Sequence, residues 1–310
     1  MATTEFAKKY HEKMFPGYHS TFLETDTEFI ERFDNFAFDE VVNQDDLDDK
    51  TRFVALIAIL LGCQGMDEFR AMLPAALNFG VTPIEVKEIV YQAVAYLGIG
   101  RVFPFLKITN EVLAERGIGL PLPGQATTTT ANRREAGTQA QVDIFGENMR
   151  DFWKSGPEES RHINLWLADN CFGDYYTRTG LDYKQREMIT FCFLAAQGGC
   201  EPQLISHAAA NMKIGNDKEF LIKVISQCRE LLDYLNMLAE EKLATPAQIS
   251  LSWMLGKKDY IVPIPGSRKV TRLEENLCSS EIRLSAEEIN KIDEKLDQMD
   301  FLVFGGNQAK

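Results

Sequence analysis

The chain has 310 residues, with 46 acidic and 33 basic side chains, a net charge of −13 and an isoelectric point near 4.9. That balance excludes a general affinity for nucleic acid or for anionic membrane surfaces. The longest uncharged apolar run, Phe53 to Met66, is too short to span a bilayer, and Met1 to Phe15, with Glu5, Lys8, Lys9, Glu12 and Lys13, lacks the apolar core of a signal peptide. A cytoplasmic protein is expected, although one whose leader had been removed would read the same. Six scattered cysteines (Cys63, Cys171, Cys192, Cys200, Cys228, Cys278), no C-x-x-C and only four histidines point to neither a disulfide framework nor a metal site.

Residues 33–92 and 167–227 follow one pattern at an offset of 134 to 135. The first copy runs Leu47-Asp48, Arg52, an apolar stretch, Asn78-Phe79-Gly80 and a helix ending Ile89-Val90-Tyr91-Gln92. The second runs Leu181-Asp182, Arg186, an apolar stretch, Lys213-Ile214-Gly215 and Val224-Ile225-Ser226-Gln227. A duplicated unit of this length predicts two helical modules related by a pseudo-twofold axis. After Gln92 the first copy continues through Tyr96-Leu97-Gly98, whereas after Gln227 the second turns into unrelated sequence.

Pro74 falls inside a helix predicted over about 67–78 and predicts a kink or restart there. Gly80 is placed to stop that helix, and Thr82-Pro83-Ile84-Glu85 opens the next, running to about Tyr96, with an N-cap, a proline at the first helical position and a capping-box glutamate. Gly117 to Thr130 reads as an extended linker. In the second copy Gly215 stops one helix and Asn216 or Asp217 caps the next. Beyond Arg229 a helix is predicted over 230–242, Thr245-Pro246-Ala247-Gln248 caps another, Tyr260 to Pro263 reads as a short strand, and Ser285-Ala286-Glu287-Glu288 starts a last helix. The expected fold is all-α, tandem helical-bundle repeats with a mostly helical C-terminal extension containing one short strand. The expected divisions are a first repeat at 1–118, a linker at 119–138, a second repeat at 139–228 truncated at its C-terminal end, and a C-terminal fragment at 229–310.

The stretch from Gly198 to His207 is the richest in chemistry. Cys200 stands just ahead of a predicted helix N-terminus, where unpaired N–H groups and the helix dipole favour a thiolate. Gln203 and His207 are four apart and Cys200 and His207 seven apart, so thiol, amide and imidazole can share one side. The alternative is a small packed cysteine and a structural histidine. In the first copy the matching positions hold Glu68 and Met72, so a full acid–base pair needs residues from both copies or from neighbouring subunits. Arg52 and Arg186 are candidates for binding a substrate carboxylate bidentately, or for tying a helix start to a nearby acid.

This pattern, with Glu/Gln-x-x-x-His and Gln-x-x-x-Tyr-x-Gly, resembles the carboxymuconolactone decarboxylase and alkyl hydroperoxidase D-like superfamily, over roughly 30–113 and 164–228. The resemblance implies helices from several modules meeting around the sites, and a trimer of tandem chains. Against the peroxidase branch, Cys200 matches the first cysteine, Gln203 replaces the second, His207 matches the histidine, and Glu187 lies near the upstream acid. Without a second thiol the dithiol cycle is lost. Against the decarboxylase branch, which needs no metal or organic cofactor, His207 matches the histidine, Gln203 stands in place of glutamate, and Glu68 keeps that glutamate in the other copy. The implied reading is a cofactor-free decarboxylase-like enzyme acting on a small cyclic acid or lactone. The alternatives are a single-cysteine thiol peroxidase or a non-catalytic oligomeric binding protein.

The tail resembles something else. Ala244 to Gln248, Ile261 to Arg268 and Glu274-Glu275-Asn276 look like the C-terminal end of an aldo-keto reductase, in which Ser267, Arg268, Arg272, Glu275 and Asn276 would hold the adenosine phosphate of NADPH. About 80 residues cannot close an eight-stranded barrel, so reductase catalysis is not expected and NADPH is not expected as a cofactor.

Overall fold

The computed structural model describes residues 2–228, 242, 244–257, 274, 276–285, 288–289 and 292, which divide into two units, Met1–Gln227 and Cys228–Lys310. The described residues contain helices and no strand.

In the first unit the same order of helices occurs twice. The first repeat has α1 (Glu5–Met14), α2 (Thr27–Asn35) continuing into a π-helical stretch Phe36–Glu40, α3 (Asp49–Cys63), α4 (Met66–Asn78), α5 (Pro83–Leu97) and α6 (Ile99–Glu115). The second has α7 (Arg133–Phe145), α8 (Arg161–Trp166) continuing into a π-helical stretch Leu167–Tyr176, α9 (Tyr183–Gln197), α10 (Glu201–Ile214) and α11 (Lys218–Ile225). Just as α1 packs on its π-helical stretch and on α4, α7 packs on its own and on α10. The duplicated unit therefore begins before residues 33 and 167. Residues 133–138, which the sequence groups with the linker, form the first half of α7.

Capping chemistry sets the boundaries. The side chain of Asp48 accepts from the Thr51 amide at the start of α3, and Asp182 with Gln185 forms a capping box on α9. Thr82 and Glu85 form the expected box on α5, Gly215 in a left-handed conformation ends α10, and Asp217 caps α11. No restart occurs at Pro74: α4 runs on through it. Burial of Phe69, Met72, Leu73, Ala75 and Ala76 on that helix offsets the backbone bond that proline removes.

Gln64 (φ 65°) closes α3 and Gly198 (φ 67°) closes α9, 134 positions later; Gly199 (φ 68°) follows at once. From there to Gly80 and Gly215 the offset is 135. The second repeat thus carries one more residue immediately before Cys200.

α3 and α9 pack against each other so closely that a Cβ on Gly62 would lie 2.8 Å from the Ala196 Cβ. Around them the repeats exchange equivalent hydrogen bonds. Arg52 Nη1 donates to Gln227 Oε1 at 2.9 Å, and Arg186 Nη1 donates to Gln92 Oε1 at 3.0 Å. Each arginine reaches the glutamine of the other copy, the signature of a self-complementary pseudo-twofold contact. α7 settles into its π-helical partner where a Cβ on Gly137 would meet the Ala168 carbonyl at 1.9 Å.

In the second unit α12 (Pro246–Lys257) begins with the capping box of Thr245 and Gln248, and Ser285 and Glu288 form another. Ile249 and Ile292 anchor its small core with Trp253, Ile282 and Leu284. The expected strand at 260–263, and the helix at 230–242 apart from Lys242, lie outside the described residues. No helix among the described residues is long and apolar enough to cross a membrane.

Candidate active site

His207 lies on the second turn of α10 with its side chain 12% exposed, and its Nδ1 is 2.8 Å from Oε2 of Glu187, which is wholly buried on α9. A carboxylate only accepts, so Nδ1 carries the proton; Nε2 has no partner among the described residues. The ring is held edge-on between two aromatic side chains, Phe145 of α7 at 5.4 Å and Tyr96 of α5 at 5.7 Å between centroids.

Two donor chains converge on Glu187. Tyr176 O–H donates to Oε1 at 2.9 Å, so its own oxygen must accept from elsewhere. It accepts from Tyr96 O–H at 2.9 Å and from the Thr190 hydroxyl at 2.7 Å. Behind Tyr96 stands the Cys171 thiol at 3.5 Å, and behind Thr190 the Gln92 amide at 2.9 Å. Burial pushes the Cys171 thiol up to about 12 and raises Tyr96 and Tyr176 well above the ordinary phenol range. All three therefore stay protonated, as donation toward a carboxylate requires.

Gln92 and Tyr96 belong to the first repeat, whereas Glu187, Thr190 and His207 belong to the second. The site is built across the pseudo-twofold axis. At the equivalent positions on the other side, Phe53 stands for Glu187 and Met72 for His207, and the sequence puts Leu231 where Tyr96 would fall. Only one of the two pseudo-equivalent sites retains an acid–base pair.

The residues singled out from sequence fare unequally. Cys200 is the N-cap of α10 and half-buried, but its thiol donates to the Leu194 carbonyl at 3.3 Å. Burial raises its pKa, against the lowering expected from the helix N-terminus, while Gln197 pulls the other way. Gln203 is exposed, and neither it nor Cys200 bonds to His207. Glu68 is exposed on the first turn of α4 and forms no hydrogen bond or ion pair among the described residues.

Arg52 and Arg186 are buried, and both Nη groups of each already donate to protein acceptors, Gln227, Val42 and Leu47 for Arg52 and Gln92, Glu88 and Arg178 for Arg186, so neither has its fork free for a substrate carboxylate. Arg186 Nη2 pairs with buried Glu88 at 2.9 Å, where desolvation lowers the guanidinium and Glu88 holds it up. Lys223 occupies the place of Glu88 in the other copy, so Arg52 finds its acid in Asp45 of its own repeat, at 3.5 Å. Both arginines lock the repeats together. The polar partners Tyr96, Tyr176, Thr190 and Gln92 were not read as site residues. Their signal was a polar group recurring on helix faces that are otherwise apolar.

Ser267, Arg268, Arg272 and Glu275 lie outside the described residues; Asn276 is half-buried, its carbonyl accepting from Ser279 Oγ at 2.6 Å.

Residues 27–111 match the carboxymuconolactone decarboxylase family and residues 182–297 the aldo/keto reductase family. The chain thus carries a carboxymuconolactone decarboxylase family domain and, behind it, an aldo/keto reductase family segment. Among curated proteins, "Aldo-keto reductase yakc [NADP(+)]" of Schizosaccharomyces pombe is 36% identical over 73 residues, 24% of this chain and 22% of that protein. "Probable aldo-keto reductase 1" of Glycine max is 26% identical over 89 residues, 29% of this chain and 26% of that protein. "Aldo-keto reductase str7" of Strobilurus tenacellus is 35% identical over 60 residues, 19% and 18%. The chain spans about a quarter or less of the length of these relatives. The reductase match starts at Asp182, the N-cap of α9, and so takes in residues that fold here as a helical repeat, while the decarboxylase match covers the repeat that lacks the acid–base pair.

Proposed function

We propose that the helical unit is an acid–base enzyme of the carboxymuconolactone decarboxylase type, acting on a small cyclic acid or lactone without a metal or organic cofactor. The observation that carries this reading is the buried carboxylate of Glu187 on Nδ1 of His207, with Nε2 left over. In decarboxylation of a lactone acid, the bond to the carboxyl carbon breaks, carbon dioxide leaves, and the electron pair passes into the conjugated lactone carbonyl as an enolate. The imidazolium of His207 delivers the proton from Nε2 to carbon, and water returns a proton to the ring. Glu187 fixes the ring's orientation and its tautomer through Nδ1, which leaves Nε2 facing the reacting carbon.

A one-cysteine peroxidase is the weaker reading. It needs a thiolate, and the Cys200 thiol is engaged as a donor to Leu194 with a raised pKa. NADPH binding by the tail has no part in either mechanism.

The test is release of carbon dioxide from a carboxylated butenolide by the purified chain in chelator-treated buffer. His207→Ala is expected to lower the rate by about 100-fold or more. Turnover that survives the substitution removes His207 from the chemistry.

A further inference from the structure

The neighbourhood of His207 holds polar atoms the acid–base pair does not use. Gln141 of α7 is 0% exposed, yet neither its Oε1 nor its Nε2 has a hydrogen-bond partner. The Thr138 hydroxyl, three residues earlier, is also buried and unpartnered. A buried amide left wholly unpaired is costly, and its persistence in a folded protein asks for a reason. Thr138, Gln141 and Phe145 follow one another at spacings of three and four, so they share one side of the helix, with side chains leaning toward its N-terminus. Phe145 is the residue whose ring lies edge-on against His207. On the adjoining side of α7, Ala140 and Ile144 pack in a cluster with Ala210 of α10, the helix that carries His207. This stripe of α7 therefore runs from the imidazole to two unpaired polar groups, Gln141 about one helical turn from Phe145 and Thr138 about two.

We propose that the Gln141 amide, with the Thr138 hydroxyl, binds the carbonyl end of a small oxo-acid or lactone whose acid end lies at His207. The inference rests on the acid–base reading of His207 and deepens it. Gln141 Nε2 and the Thr138 O–H are donors, which suits a ligand oxygen that gains negative charge as the enolate forms. Gln141 Oε1 takes a hydroxyl of the ligand or a water.

The experiment pairs calorimetric titration with a butenolide bearing an acetate arm and thermal unfolding of the free proteins, on wild type, Gln141→Leu, Gln141→Glu and His207→Ala. Gln141→Leu is expected to raise the melting temperature, because it removes unpaired polar atoms, and to weaken binding at least tenfold. Gln141→Glu, which keeps the shape but turns the donor into an acceptor, is expected to lose binding to a similar degree and carries the test if the leucine variant does not fold. Binding by His207→Ala that still depends on Gln141 supports the proposal without any turnover. Unchanged binding in the Gln141 variants, with or without a rise in melting temperature, means that the amide meets buried water only, and overturns it. A wild type that does not bind the probe at millimolar concentration overturns it as well. If wild type binds but releases no carbon dioxide, the decarboxylase reading falls and the Gln141 contrast stands.

Discussion

Glu187 holds Nδ1 of His207 at 2.8 Å from a fully buried position, and the same carboxylate receives Tyr176 on its other oxygen at 2.9 Å. Replacing Glu187 by Gln keeps the shape but puts on Nδ1 an amide that can donate as well as accept, so the ring tautomer is no longer fixed. The expected result is a fall in kcat of about 100-fold with little change in KM, read from initial rates on the carboxylated butenolide. A kcat within twofold of wild type would detach the pair from the reaction.

Arg186 is enclosed together with Glu88, which it shares with Arg178 at 2.9 Å, so removing Arg186 strips the buried carboxylate of one of two guanidinium partners and leaves the Gln92 carbonyl oxygen without its donor. Arg186→Met is expected to cost about 3 kcal/mol in urea unfolding. Arg52→Met is expected to cost less, since Asp45 lies farther away at 3.5 Å. Equal losses would mean that the two arginines are energetically interchangeable despite their different partners.

Cys171 gives a pH dependence with a definite sign. Its thiol rises from an ordinary 9.0 to about 12 on folding, so the folded state keeps a proton that the unfolded chain releases. The associated stability is complete below pH 9 and is lost as the pH climbs toward 12. Cys171→Ala should flatten the decline in unfolding free energy across that alkaline window. Identical slopes for variant and wild type would assign the decline to Tyr96 and Tyr176 instead.

Cys200 separates the two enzymatic readings. Its labelling by iodoacetamide is expected to show a midpoint above the ordinary thiol value of 9.0, and Cys200→Ser to keep decarboxylase activity. Rapid reaction of wild type with peroxide at neutral pH, abolished in Cys200→Ser, would restore the peroxidase reading.

Much of this was legible from sequence, and the limits have physical causes. The tandem repeat and the caps of α5 and α11 could be read because capping and glycine stops are local. The kinship of α1 and α7 could not, because what those helices share is a packing position and not a residue pattern. The arginines were legible as a repeated feature, but their burial depends on Gln92 and Gln227, each supplied by the opposite repeat. Tyr96 was visible in its motif, yet nothing along the chain says that a side chain from the first repeat will flank a histidine 111 positions away. The unpaired state of Gln141 is a property of three-dimensional surroundings alone.

The reciprocal placement of the polar groups makes the two repeats unequal in what each can lose. The second holds the reagent and the first supplies part of the mould, through Gln92 and Tyr96 at the end of α5. Phe53 and Met72 leave the mirror-image position without an acid–base pair, so the proposed chemistry asks nothing of the stretch after Gln227. A chain organised this way tolerates foreign sequence at that one junction, and an active-site titrant should find a single equivalent per polypeptide in place of the two that its internal symmetry suggests.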